Sequence, residues 1–483
     1  MPLAQQSLCC LVVLSISFVL SNPMRLSQYL TEYDEDLSGD SQIDPLGVLI
    51  IWSAFGQQIF RNRVNSVSND VRNYTLNLLH HAVIKDLLDD VDTNLSKALD
   101  EQSGGRHGLA LRQACLVYLE NIFTYAVVTA APDSGVDSQG VLGASKARAR
   151  LEVDSNPFLR FTHKTAGHLL VRQLGLGVSG RYKTPFMQIG FFNDRYNYHY
   201  SQEAAQLWLK VKAMIQTHAP FSVLFQEARM HLQGLFRGFK AGGGSALKQV
   251  PDSLIEAYRR ALPNSAQVGA DTRDFWLALT GLDTGAAGAL LQVLDDQAQN
   301  YPGSDMPIQQ LFSVAEKKCS EAPERRKLVH VQQVEPLLAQ ADLLFTLACH
   351  GRHQSLDEIE AHWRGLGRDA GTLPAAAARI DAHPELLDIP SHTGRRRLER
   401  LMRLARQERF SDQLRDLIGY HAAVMRERGQ LPWVQIEQAE KVKLNARTKA
   451  LPEAQNTPMY RWVNTYYIHQ FNNLVTGYRG GQA

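Results

Sequence analysis

Apolar residues recur along most of this chain at steps of three and four, the spacing that gathers them on one side of an α-helix. Residues 45–131 read as wholly helical. Pro45 suits a first helical turn, and the run VLIIWSAFGQQIF after it is apolar on nearly every side, as a helix buried in a core would be. Val64, Val67, Val71, Tyr74 and Leu78 make one stripe on a second helix running towards Asp89, and a third helix covers about Leu109 to Ala130, stopping before Pro132. The Gly-, Ser- and Asp-rich stretch 132–145 reads as a linker.

The pattern then changes. Met187 to Phe192, Asn193-Asp194, and Arg195 to Tyr200 show the alternation and turn residues of a β-hairpin, with Tyr196, Tyr198 and Tyr200 on one face. Helical spacing resumes from Glu203 to Phe239, and Ala241 to Ser245 (AGGGS) reads as a second linker. From Leu247 onward the chain reads as helices with a short extended piece at Leu328 to Val334. Ser355 and Glu358 form a capping box, and Gly365 closes that helix. A basic helix spans Arg395 to Phe410. Ser411 caps its successor, in which Leu414, Leu417, Ile418, His421, Val424 and Met425 line one face until Gly429. The expectation is a mainly α, multi-helical protein with a small β-hairpin in the middle. Its parts are an apolar segment 1–23, a helical domain 24–131, an α+β region 145–240 and a helical region 246–483.

Composition narrows the function classes. With 44% hydrophobic and 21% charged residues, neither a disordered chain nor a multi-span membrane protein fits. A net charge of +2 removes any argument for nucleic-acid binding from total charge, so only local clusters can carry that case. The strongest lies between Arg395 and Arg409, where seven arginines (395, 396, 397, 400, 403, 406 and 409) face two glutamates. Arg396, Arg400 and Arg403 share one helical face and would suit a phosphate backbone or an acidic partner. The bland alternative is a solvated face over an apolar stripe at Leu398, Leu401 and Ala405. A second cluster sets Arg181 and Lys183 beside Tyr182 and the aromatics of the expected hairpin, where cations and rings could engage phosphates and stack bases. Against it stands packing of those aromatics in a core.

Segment 1–23 has no charged side chain, and Leu8 to Leu20 resembles a secretory h-region without the usual preceding Lys or Arg. The run is shorter than the roughly 20 residues a membrane-spanning helix needs, so no stable membrane insertion is expected. Translation starting at Met24 is the favoured reading. Cys115, Cys319 and Cys349 read as buried reduced thiols, and the sequons at Asn73 and Asn94 sit in helical patterns. Together these favour the cytoplasm.

Other motifs fail in context. Gly175, Gly177 and Gly180 match a dinucleotide fingerprint, but a strand rather than a helix is expected after them. The calcium-like loop from Asp36 has Ser41 where glycine is needed and Gly47 where a bidentate glutamate should close the shell. Cys349, His350 and His353 lack a second zinc pair, and Asp252 lacks the Glu-x-Lys of a nuclease. No catalytic residue, cofactor or metal site is therefore assigned.

The segments PLGVLIIWSAFGQQIF (45–60), GVSGRYKTPFMQIGFF (177–192) and WVNTYYIHQFNNLVTGYRG (462–480) resemble those of accessory proteins from bacterial multi-gene anti-phage or restriction operons. The likeness carries no catalytic motif, so it transfers no functional residue. It implies an accessory subunit that binds other proteins of a complex; the charge clusters, not the likeness, supply Arg395, Arg396, Arg397, Arg400, Arg403, Arg181 and Lys183 as the residues expected to contact DNA phosphates. The rival classes are an enzyme such as a metal-dependent nuclease, with a site dispersed in sequence, and an exported binding protein.

Overall fold

Two helices buried on nearly every side, Val71–Asp89 and Leu109–Val128, organise the first half of the chain. The computed structural model describes residues 44–437, 440–459 and 461–480. The apolar segment 1–23, Met24 and most of the calcium-like loop lie outside them. Among the described residues the protein is 65% helical, which makes it mainly α as the periodicity implied.

The first of these helices starts at Val71, seven residues after the apolar stripe begins. Asp70 sets that start, because its carboxylate accepts Arg72 N at 2.7 Å and Asn73 N at 3.3 Å in an N-cap. Around the pair pack the helices Ala219–Gly238, Asp252–Ala261 and Ser265–Thr280. The second half is built on Ala322–Ala348, against which Leu49–Phe60, Ile308–Lys318 and Thr372–Asp381 pack. Leu328 to Val334, expected to be extended, lies inside this 27-residue helix, with Pro323 in its first turn.

The described residues form one compact unit, and both expected linkers are fixed within it. The fully buried Arg72 guanidinium donates to the carbonyls of Asp137, Pro263 and Gln139, and Asn73 Nδ2 donates to Gly140 O, so the 132–145 stretch is pinned to the helical core. Ser245 belongs to a strand, Gly244–Ala246, antiparallel to Phe158–Arg160 with Leu159 opposite Ser245. Gly244 is required there, since a Cβ would stand 2.0 Å from Leu159 O.

This two-stranded ladder is the β element of the middle region; the Met187–Tyr200 hairpin does not form. Lys183–Ile189 is helical and the chain then loops irregularly. The Asn193 side chain accepts Arg195 N and Asn197 N at 3.0 Å each, and Tyr196 adopts a left-handed φ of 56°, neither of which a strand accommodates. A three-stranded antiparallel sheet, His353–Ser355, Lys441–Leu444 in the centre and Val434–Ile436, was not foreseen. The Ser355/Glu358 capping box is present as read.

The segment approaching the last helix, Ile468–Tyr478, is bound to the Ala322–Ala348 helix by buried polar groups. Glu335 accepts Val463 N at 2.7 Å, Asn464 N at 3.0 Å, Asn464 Nδ2 at 2.9 Å and Tyr466 OH at 2.6 Å. Arg368, also buried, donates to the carbonyls of Thr457 and Pro458. Beyond this strap, Phe471 packs on Phe60, and Gly477 meets Gly269 so closely that a Cβ on Gly269 would lie 1.9 Å from Gly477 O.

Candidate functional site

The basic segment forms the helix His392–Ala405, opened by Ser391, whose Oγ accepts Gly394 N at 3.4 Å. It ends five residues before Phe410, which starts the next helix, Phe410–Glu427, with Arg409 rather than Ser411 at the N-cap. Leu398, Leu401, Met402, Leu404 and Ala405 are buried against the helices Leu49–Phe60, Thr372–Asp381 and Phe410–Glu427. That burial turns the arginines outward, apart from Arg397.

The seven arginines then divide into two sets. Arg395 pairs with Asp388 at 2.6 Å and Glu399 at 3.0 Å, Arg406 with Asp381, and Arg409 with Asp412 at 3.2 Å. Arg397 is 12% exposed, donates to Gly47 O at 3.0 Å and pairs with Glu427 at 3.2 Å, so it serves the fold and cannot reach a ligand. Arg396 and Arg403 are exposed and have no ion-pair or hydrogen-bond partner among the described residues. Between them Arg400 is half-buried, its guanidinium 5.3 Å from the ring of Tyr420. Arg396, Arg400 and Arg403 are thus left as a ridge of uncompensated charge along about 10 Å of helix, at 1.5 Å per residue.

The second cluster is not brought together as a ligand surface. Arg181 Nε donates to Leu176 O at 2.7 Å. Lys183 Nζ donates to Asp194 O at 2.6 Å and stands 4.7 Å from the Tyr196 ring. Tyr182, Phe191, Phe192, Tyr196 and Tyr198 are all buried, and Phe192, Tyr196 and Tyr198 surround the buried His81. Only Tyr200 of this group is exposed. The aromatics form core, and the two cations hold the loop to it.

The glycines beside this loop have a different cause from phosphate binding. Glu120, buried in the Leu109–Val128 helix, accepts Val178 N at 3.0 Å; a Cβ on Gly177 would lie 2.6 Å from its Oε1. A carboxylate therefore occupies the place where a dinucleotide would put its pyrophosphate. Burial pushes the Glu120 carboxyl up to about 7, although the peptide N–H bonds oppose the shift. Sequence reasoning passed over Glu120 because a single charged residue in an apolar helix carries no spacing signal.

The remaining candidates are structural. Asp44, inside the calcium-like stretch, caps the first helix by accepting Val48 N and Leu49 N at 3.0 Å each. Asn73 of the first sequon is buried, whereas Asn94 lies exposed in a loop. Cys115, Cys319 and Cys349 are free and buried, as expected. Among the described residues, no three His, Cys, Asp or Glu side chains converge in a way that could hold a metal ion, and no helix is long and apolar enough to cross a membrane. The chain matches no known protein-family model, no curated protein and no solved structure.

Proposed function

We propose that this protein is a non-catalytic accessory subunit of a bacterial genome-defence complex, acting in the cytoplasm to bind DNA and partner proteins. The observation that carries the DNA contact is the ridge of Arg396, Arg400 and Arg403. Ion pairs neutralise Arg395, Arg397, Arg406 and Arg409 around it and leave these three without a carboxylate among the described residues. Free buried thiols agree with a reducing compartment. The defence setting rests on the resemblance of the three segments. Two of them, 45–60 and 462–480, meet in the fold, where Ser53 Oγ lies 2.6 Å from Tyr467 OH.

Arginines spaced along one helix without Asn or Gln among them address phosphates rather than base edges, so binding is sequence-tolerant and steeply salt-dependent. The test is an electrophoretic shift across a salt series with Arg396, Arg400 and Arg403 all changed to Gln. At about 0.9 units per phosphate contact, the slope of log affinity against log salt falls by close to three units. An unchanged slope in the folded variant would assign the ridge to an acidic protein partner or to solvent.

A further inference from the structure

A cavity of about 300 Å³ lies where the end of the Gly285–Asn300 helix, the loop after it and the start of Ile308–Lys318 meet the Ile468–Tyr478 helix. That volume suits a small organic molecule. In its lining Leu294, Ile308, Leu311 and Ile468 supply apolar surface, Asn472 and Arg479 supply donors, and Asp305 supplies an acidic group.

Arg479 is held in place. Its side chain is 15% exposed, and Nε donates to Asp295 Oδ1 at 2.9 Å, while Arg273 Nη2 reaches Oδ2 of the same carboxylate at 3.2 Å. Two guanidinium groups on one carboxylate leave a net positive charge at this edge of the cavity. Neither Nη1 nor Nη2 of Arg479 has an acceptor among the described residues, and Nη2 is shielded from water. With Nε committed to Asp295 and Nη2 enclosed, Nη1 is the nitrogen left to meet an anionic oxygen such as that of a carboxylate.

We propose that this cavity binds a small monocarboxylate with an apolar body, its carboxylate on Arg479 and its hydrocarbon part against Leu294, Ile308, Leu311 and Ile468. Asp305, which also lines the cavity and is exposed, disfavours a second negative group and so selects against phosphates and dicarboxylates. The ridge of Arg396, Arg400 and Arg403 plays no part in this site.

Isothermal titration of the full chain with octanoate, octylammonium and inorganic phosphate tests it. Saturable one-to-one binding of octanoate is expected, with octylammonium and phosphate at least tenfold weaker. Arg479→Gln should weaken octanoate at least tenfold. Because that change also removes an ion pair, Thr476→Trp supplies a second variant: Thr476 lines the cavity from an exposed helix position, and a ring there fills the space without entering the core. It should abolish octanoate binding at an unchanged melting temperature. Equal affinity for octanoate and octylammonium, tighter binding of phosphate, or octanoate binding that survives Thr476→Trp would each overturn the proposal.

Discussion

Trp433 donates its backbone N–H to Nε2 of His421 at 2.9 Å, while Nδ1 of the same ring lies 2.8 Å from the carbonyl oxygen of Pro45. A peptide N–H only donates and a carbonyl only accepts, so this imidazole is neutral with its proton on Nδ1. Burial holds its pKa below the usual value, with Arg428 adding to the effect against the bond to Pro45. One side chain thereby joins the entry to the first described helix with the Val434–Ile436 strand, across the Phe410–Glu427 helix.

Replacing His421 by Leu leaves a partly buried N–H and a partly buried C=O unpaired, so a loss of about 1–3 kcal/mol in urea unfolding at pH 7 is expected. The sign with pH follows from the lowered pKa. The unfolded ring takes up a proton near pH 6.5 and the folded one only at lower pH, so the stability it supplies is present above about 6.5 and is lost on acidification. The gap between wild type and His421→Leu should accordingly narrow between pH 7 and pH 5. A gap of constant size would show that the ring does not titrate as described.

Glu120 acts in the opposite direction. Its carboxyl holds a proton up to about pH 7 when folded but gives it up near 4.5 when unfolded. Stability is therefore lost as pH rises from about 4.5 to 7, by at most about 3.5 kcal/mol at about 1.4 kcal/mol per unit. Glu120→Gln keeps an acceptor for Val178 N and removes the charge, so it should flatten this limb and be the more stable protein at pH 8. Urea melts at pH 5 and pH 8 measure both slopes, and parallel slopes would refute the assignment.

Much of this fold was legible because helices are specified locally. The spacing of Leu414, Leu417, Ile418, His421, Val424 and Met425 and the pairing of Ser355 with Glu358 each act within a turn or two, and each is found as read. The failures involve distant groups. Tyr196 and Tyr198 alternate as strand residues do, yet both turn inward around His81, more than a hundred positions earlier in the chain. The glycines at 243 and 244 look like a tether until Lys240 and Phe239 close on the first and Leu159 on the second. At the candidate site the register of Arg396, Arg400 and Arg403 could be read directly. That Arg406 and Arg397 are neutralised could not, because Asp381 and Glu427 come from other helices.

Two glycines separate packing from helix propensity. Gly269 crosses Gly477 backbone to backbone, so Gly269→Ala should cost about 1–3 kcal/mol as the helices Ser265–Thr280 and Ile468–Tyr478 are forced apart. Gly234 is exposed on the Ala219–Gly238 helix with nothing within 4 Å of an added Cβ, so Gly234→Ala should stabilise by about 0.5–1 kcal/mol. Thermal melts of the two variants should move in opposite directions; the same direction would mean that the close crossing is not maintained in solution.

The strap on the Ala322–Ala348 helix makes a sharper demand. Glu335 is fully buried and accepts four hydrogen bonds, and desolvation raises its pKa although every one of those bonds opposes the shift. Glu335→Gln preserves volume but puts an amide N–H against at least one of the donors at Val463, Asn464 and Tyr466. A loss of about 2–4 kcal/mol is expected, in the range for breaking a buried charged network. Hydrogen exchange should quicken first at 461–467. Uniform quickening over the whole chain would show instead that the strap opens only when the protein unfolds globally.

The division of the arginines yields the most specific prediction about binding. If Arg396, Arg400 and Arg403 meet phosphates while Arg395 and Arg406 are committed to Asp388, Glu399 and Asp381, equal changes in charge should have unequal effects. Arg396→Gln with Arg403→Gln should lower the salt slope of DNA binding by close to two units, at about 0.9 per contact. Arg395→Gln with Arg406→Gln removes the same formal charge but should leave the slope nearly unchanged, because those cations release no counterion when DNA binds. Stability should hardly move in either variant, since exposed pairs contribute roughly 0–1 kcal/mol. Equal losses of slope in the two double variants would mean that the helix acts through net charge alone, and the ridge would then have no special standing as a contact surface.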